Sequence, residues 1–101
     1  MEAHNLMPDE IRDVLPCLYA TEEKDDPLAL VKWFTPDSQW TWFVIEFDGD
    51  DTCYGLVRGF EEEVGYFSLS ELQDARGPMG LRIERDLHFQ PTALSALKKR
   101  R

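Results

Sequence analysis

Trp40-Thr41-Trp42-Phe43-Val44-Ile45-Glu46-Phe47, then Asp48-Gly49-Asp50-Asp51, then Thr52-Cys53-Tyr54-Gly55-Leu56-Val57-Arg58-Gly59, is the stretch that decides the fold. The first run is dense in aromatic and β-branched residues, the second has turn chemistry, and the third returns with strand composition. Together they predict a β-hairpin with a four-residue connection. Strict alternation puts Thr41, Phe43, Ile45 and Phe47 on one face, and Trp40, Trp42, Val44 and Glu46 on the other. Both faces come out largely apolar, more than a few small helices can cover. Two expectations follow. Either Trp40 and Trp42 pack under the N-terminal segment and the loop 16–27, or they form a partly exposed aromatic platform.

Outward from the hairpin, Leu28 to Phe34 and Val64 to Phe67 read as further strands. The turn Thr35-Pro36-Asp37-Ser38 follows the first of these. Leu81 to Phe89 alternates, with Ile83, Leu87 and Phe89 on one side and Arg82, Glu84, Asp86 and His88 on the other, as in a strand with one wet face. Pro8 opens a short helix that Pro16 ends, with Ile11, Val14 and Leu15 on one side. Ser68-Leu69-Ser70-Glu71 is a capping box; Leu69, Leu72 and Ala75 form the buried stripe and Gly77 the stop. Pro91 opens a last helix with Leu94 and Leu97 inward. Short turns between the central strands predict an α+β fold: an antiparallel meander of about five strands with short helices packed on one face. Residues 1–101 are expected to form one domain, ordered over about 6–97, with a basic tail at 98–101.

Charge is divided unevenly along the chain. Residues 1–63 carry sixteen Asp and Glu against four Lys and Arg, whereas residues 64–101 carry seven basic residues against four acidic ones. The acidic front repels polyanions and attracts cations or basic protein surfaces. Its members are Glu22, Glu23, Asp25 and Asp26, then Asp48, Asp50 and Asp51, then Glu61, Glu62 and Glu63. Three Trp, six Phe and three Tyr supply most of the burial a domain of this size needs. The start has no leader pattern, and no apolar run approaches the roughly 20 residues of a membrane span. Cys17 and Cys53 are expected to be reduced, and the protein to be cytoplasmic.

No constellation points to catalysis. His4, Cys17, Cys53 and His88 lack paired metal-ligand spacing, so no metal is expected. The Asp48–Asp51 run has carboxylate density but not the frame of a twelve-residue calcium loop, and reads as a solvated turn. There is no nucleophile elbow and no glycine-rich phosphate loop; Gly55, Gly59 and Gly65 read as bulges or close approaches. Asp86 and His88 share a face, but no nucleophile stands near them in sequence. No catalytic residue and no cofactor is expected.

Several phrases resemble a known family: Leu18-Tyr19-Ala20-Thr21-Glu22, Val31-Lys32-Trp33-Phe34-Thr35-Pro36, Trp40-Thr41-Trp42, Glu46-Phe47-Asp48-Gly49, Tyr54-Gly55-Leu56-Val57 and Gly65-Tyr66-Phe67-Ser68-Leu69-Ser70-Glu71-Leu72. They are similar to uncharacterised small bacterial proteins classed as a domain of unknown function and common on plasmids, phages and other mobile elements. The resemblance runs from about residue 6 to 97. It implies no activity and no catalytic residues, and its setting near anti-restriction genes favours counter-defence or element maintenance.

The expectation is a non-enzymatic binding protein that presents its acidic surface beside an aromatic patch of Trp33, Trp40, Trp42 and Tyr54. In its sharpest form it is a DNA mimic or an inhibitor of a host defence or nucleic-acid enzyme. The expected partner is a protein with a basic surface; no direct nucleic-acid or membrane contact is expected, and the chain would be a monomer or weak dimer. One alternative is a small-ligand module or enzyme with a sheet-face pocket lined by Trp33, Trp42 and Tyr54, with Asp86, His88 or Glu46 as its polar group. Another is a dimeric bridging module that pairs through an open sheet edge.

Overall fold

The computed structural model describes residues 2–98. The basic tail assigned to 98–101 therefore lies outside the described residues apart from Lys98. The chain runs through a 3₁₀ turn (Glu2–His4), α1 (Asp9–Arg12), β1 (Leu28–Ala29), β2 (Val31–Phe34), β3 (Thr41–Phe47), β4 (Thr52–Arg58), β5 (Glu62–Ser68), α2 (Leu69–Asp74), β6 (Glu84–Arg85), β7 (Thr92–Ala93) and α3 (Leu94–Lys98). Five strands form an antiparallel sheet in the order β5-β4-β3-β2-β6, and β1 pairs separately with β7. This is an α+β fold built on a meander.

The central hairpin forms as its composition dictates, with one difference that reorganises both faces. Val44 lies opposite Gly55, yet Glu46 lies opposite Tyr54, so Ile45 is an extra residue in β3. Ile45 packs with Phe43 and Leu56 on one face, and Glu46 joins the same side. Phe47 moves to the other face, with Trp42 and Val44. Strict alternation therefore misplaces Glu46 and Phe47. Without the bulge, Glu46 would enter an apolar layer with nothing to bond it, which costs several kcal/mol for a charge.

The two faces have separate cores. Trp33, Trp42, Val44, Phe47, Cys53 and Ile83 pack beneath Leu6, Met7, α1 and α2. Phe43, Ile45, Leu56 and Ala29 pack beneath Leu94 and Leu97 of α3. The helices thus divide between both faces instead of lying on one. Each face is covered because the chain termini return over opposite sides of the sheet. Trp33 is fully buried and its indole N–H donates to the Leu6 carbonyl at 2.8 Å. The buried Arg85 donates to the Asn5 carbonyl at 2.8 Å, fastening the N-terminal segment further.

Other departures have local causes. The strand from Leu28 to Phe34 breaks at Leu30, where β1 leaves the main sheet to meet β7. β5 is longer than Val64 to Phe67, since Glu62 and Glu63 pair with Arg58 and Val57. Strand pairing from Leu81 to Phe89 reduces to Glu84–Arg85. Beyond it Asp86 accepts the His88 N–H at 2.9 Å and turns the chain, leaving Leu87 exposed. The Ser68 hydroxyl caps α2 by accepting the Glu71 N–H at 3.2 Å. The helix ends at Asp74, before Gly77. Gly77 serves a close approach instead, because a Cβ there would lie 1.7 Å from the Asp37 carboxylate.

Two glycines of the sheet separate cleanly by what surrounds them. A Cβ on Gly55 would sit 1.8 Å from the Phe43 carbonyl oxygen, whereas one on Gly65 would meet nothing within 4 Å. Gly55→Ala should cost about 3 kcal/mol by overpacking against backbone. Gly65→Ala should be neutral or stabilise by about 0.5 kcal/mol, because alanine has less backbone freedom to lose. Urea unfolding of the two variants checks this pair.

Cys17 is exposed and Cys53 buried, and both are free thiols. Burial first, and then the negative charges of Asp51 and Asp48, push the Cys53 thiol from 9.0 up to about 12. A disulfide reagent at pH 8 should therefore titrate Cys17 alone until denaturant is added. The unfolded chain loses the Cys53 proton first, so this contribution is complete below about pH 9 and falls as pH rises towards 12. Cys53→Ala should flatten that alkaline limb of the stability curve.

Candidate functional site

The acidic residues do not form one field. The hairpin turn holding Asp48, Asp50 and Asp51 joins β3 to β4, whereas Glu61 lies in the β4–β5 turn and Glu62 and Glu63 open β5. β4 runs between the two turns, and its seven residues span about 20 Å. The loop with Glu22, Glu23, Asp25 and Asp26 falls at the Asp48 end, because Tyr19 and Thr21 bond to Glu46 and the Phe47 N–H donates to Pro16.

Several of these carboxylates are engaged in holding the fold. Asp48 accepts the N–H groups of Asp50, Asp51 and Thr52 at 2.8–3.1 Å, and these bonds hold its carboxyl below the ordinary range. Asp51 accepts the Ser68 hydroxyl at 2.6 Å and the Ser70 N–H at 2.7 Å, which lower it likewise and fasten the hairpin turn to α2. Asp26 accepts from the Ser95 hydroxyl and N–H at 2.6 and 2.9 Å, tying the acidic loop to α3. Glu62 pairs with Arg58 at 2.8 Å. Glu22, Glu23, Asp25, Asp50, Glu61 and Glu63 are exposed and form no ion pair among the described residues.

The aromatic set also divides. Trp33 and Trp42 are core residues, 0% and 8% exposed, and cannot belong to a surface patch. They pack under the N-terminal segment and α2 because the bulged sheet is covered on that face. Trp40 is half-buried and stacks on Trp42, with ring centroids 6.0 Å apart. Its free side meets Phe60 edge-on at 5.5 Å. Phe60, at the tip of the β4–β5 turn, is 94% exposed. Trp40, Phe60, Glu61 and Glu63 border a trough of about 420 Å³ that continues along β5 past Gly65. Gly59 makes room for the indole, since a Cβ there would collide with the Trp40 ring at 2.3 Å. Sequence reading passed over Phe60. The signal available was a large aromatic next to three glutamates in a turn, where burial is hard to provide.

On the opposite face, Lys32, Phe43, Arg58, Asp86, His88 and Phe89 line a second cavity of about 550 Å³. It is the nearest counterpart of the sheet-face pocket, but Trp33 and Trp42 lie on the other side of the sheet and Tyr54 lines a different cleft. Its cations are already paired, Lys32 with Asp86 at 3.7 Å and Arg58 with Glu62. Among the described residues no group of three or more His, Cys, Asp or Glu side chains is placed to hold a metal ion. None of their helices is long and apolar enough to cross a membrane.

Glu46 anchors a third feature. It is 3% exposed, and its carboxylate accepts the Tyr19 N–H at 2.8 Å, the Thr21 N–H at 2.9 Å and the Thr21 hydroxyl. These bonds hold Tyr19 at φ +70°, a left-handed conformation unfavourable for a side chain of that size. The Tyr19 ring is thereby brought beside Tyr54 and Tyr66, whose ring centroids are 5.1 Å apart. A hydrogen bond with Tyr19, then partial desolvation and the neighbouring charges, push the Tyr66 phenol above its ordinary range.

Residues 6–99 match the family described as Protein of unknown function (DUF2958), and the chain belongs to that family. Neither a curated protein nor a solved structure matches it.

Removing the Glu46 carboxylate leaves two loop N–H groups without their acceptor. Glu46→Ala should therefore cost about 2 kcal/mol or more. Hydrogen exchange should accelerate at Tyr19 and Thr21 more than at the β3–β4 ladder.

Proposed function

We propose that this DUF2958 protein works without catalysis, by binding a partner protein through the β4–β5 turn and the adjoining surface of β5. The observation that carries the reading is Phe60: 94% exposed, held against Trp40, and flanked by Glu61 and Glu63, which form no ion pair among the described residues. A ring kept in water at a turn tip forgoes roughly 1.5–3 kcal/mol that burial would return. Surrounded by carboxylates, it suits a basic protein surface that offers a small apolar pocket. The glutamates would steer the encounter, and the ring would supply the desolvated anchor.

In its sharper form, the partner is a host defence or nucleic-acid enzyme, and Glu61 and Glu63 enter its groove where phosphates otherwise bind. The net charge of −9 agrees with that choice. A second reading has an observation of its own. β5 is an edge strand of seven residues with no partner on its outer side among the described residues, so it can pair with a second copy. Light scattering distinguishes the two, since only the second makes the isolated protein dimeric.

Capture experiments from a host lysate test the first reading. Glu61→Lys with Glu63→Lys should abolish retention of the partner, as should Phe60→Ala, while Glu62 is kept for its bond to Arg58. Retention should fall steeply from low to physiological salt. Competition by duplex DNA is expected if the groove is a nucleic-acid site. Retention that is flat in salt and unchanged in both variants would overturn the proposal.

A further inference from the structure

We propose that the cleft between Tyr19, Tyr54, Tyr66 and Glu46 binds an alkylammonium head group, either of a free amine or of a lysine side chain. The cleft meets the Phe60 trough at Tyr66 but is built from different groups otherwise, and the inference does not depend on the reading given for that surface. Its volume is about 320 Å³, at the small end of ligand pockets. Three tyrosines border it, and Tyr54 and Tyr66 meet at a 52° tilt, not as a flat stack. Ring faces carry negative potential and attract a cation within about 6 Å of the centroid.

The polar lining has the same sign. Glu46 stands at the cleft with its carboxylate fixed by three donated hydrogen bonds, so its charge needs no reorganisation when a cation arrives. Glu22 and Asp25 border the same opening, against Lys24 as the cationic member. Phosphates and carboxylates are therefore disfavoured, and so is a neutral ring that makes no use of the charge. Tyr19 and Tyr66 remain 60% and 55% exposed, so the site is open to solvent. The strained Tyr19 backbone and the β3 bulge both serve to bring these groups together.

Nuclear magnetic resonance titration of the full chain with choline tests the site. Saturable shifts are expected at Tyr19, Thr21, Tyr54 and Tyr66. The neutral carbon analogue 3,3-dimethylbutan-1-ol should bind roughly five-fold more weakly, and inorganic phosphate should give no such shifts. Tyr66→Leu should weaken choline binding about five-fold, whereas Tyr66→Phe, which keeps the ring face, should stay within about two-fold. Unchanged urea midpoints would show that both variants keep the fold. A lysine-containing peptide that binds more tightly than choline assigns the site to a side chain; the reverse assigns it to a small amine. No saturation by either, or equal binding of the neutral analogue, overturns the inference.

Discussion

The fold depends on where the Glu46 carboxylate goes. It sits near the end of the most apolar strand in the chain and cannot remain ionised in an apolar layer without donors. The extra residue in β3 turns it to the face where the Tyr19 and Thr21 N–H groups wait. The same bulge brings Phe47 into the layer of Trp42 and Val44. One backbone irregularity thus completes a core, satisfies a buried charge and fixes a long loop.

Both sides of the sheet need cover, and the two ends of the chain supply it. The N-terminal segment is held through the Trp33 indole and Arg85, each donating to its carbonyl groups. The C-terminal helix brings Leu94 and Leu97 to the other face, and Asp26 ties it to the acidic loop through Ser95. Carboxylates that look like a solvated charge run therefore include fold-holding groups. Asp26, Asp48, Asp51 and Glu62 cap, turn or pair, and the exposed remainder falls at opposite ends of β4. A surface assembled from their linear density alone would be too large and too continuous.

Much of the architecture was legible in residue types. The hairpin, the turn chemistry, the Ser68 cap and the α+β class follow from short-range preferences, which act between neighbours in sequence. The candidate sites were legible only in part. Trp40, Glu61 and Glu63 are named from residue types and Phe60 is not; Trp33 reads as a surface candidate but is core, and of the two readings open for Trp42 the buried one holds. A tryptophan reads the same whether a helix covers it or water does, and only the returning termini decide. Tyr19 and Tyr66 are 47 positions apart and carry no shared pattern in one dimension.

Composition by itself determined that this chain would build a meander of aromatic, β-rich strands with strongly acidic loops, because those outcomes rest on local propensity and on total charge. Tertiary structure alone decided which carboxylates are free, which indoles are sealed and which tyrosines meet. The returning chain ends seal the indoles, and the β3 register places Glu46 and through it Tyr19. A one-residue bulge reverses the facing of every side chain beyond it, and no local preference in Val44-Ile45-Glu46 announces it.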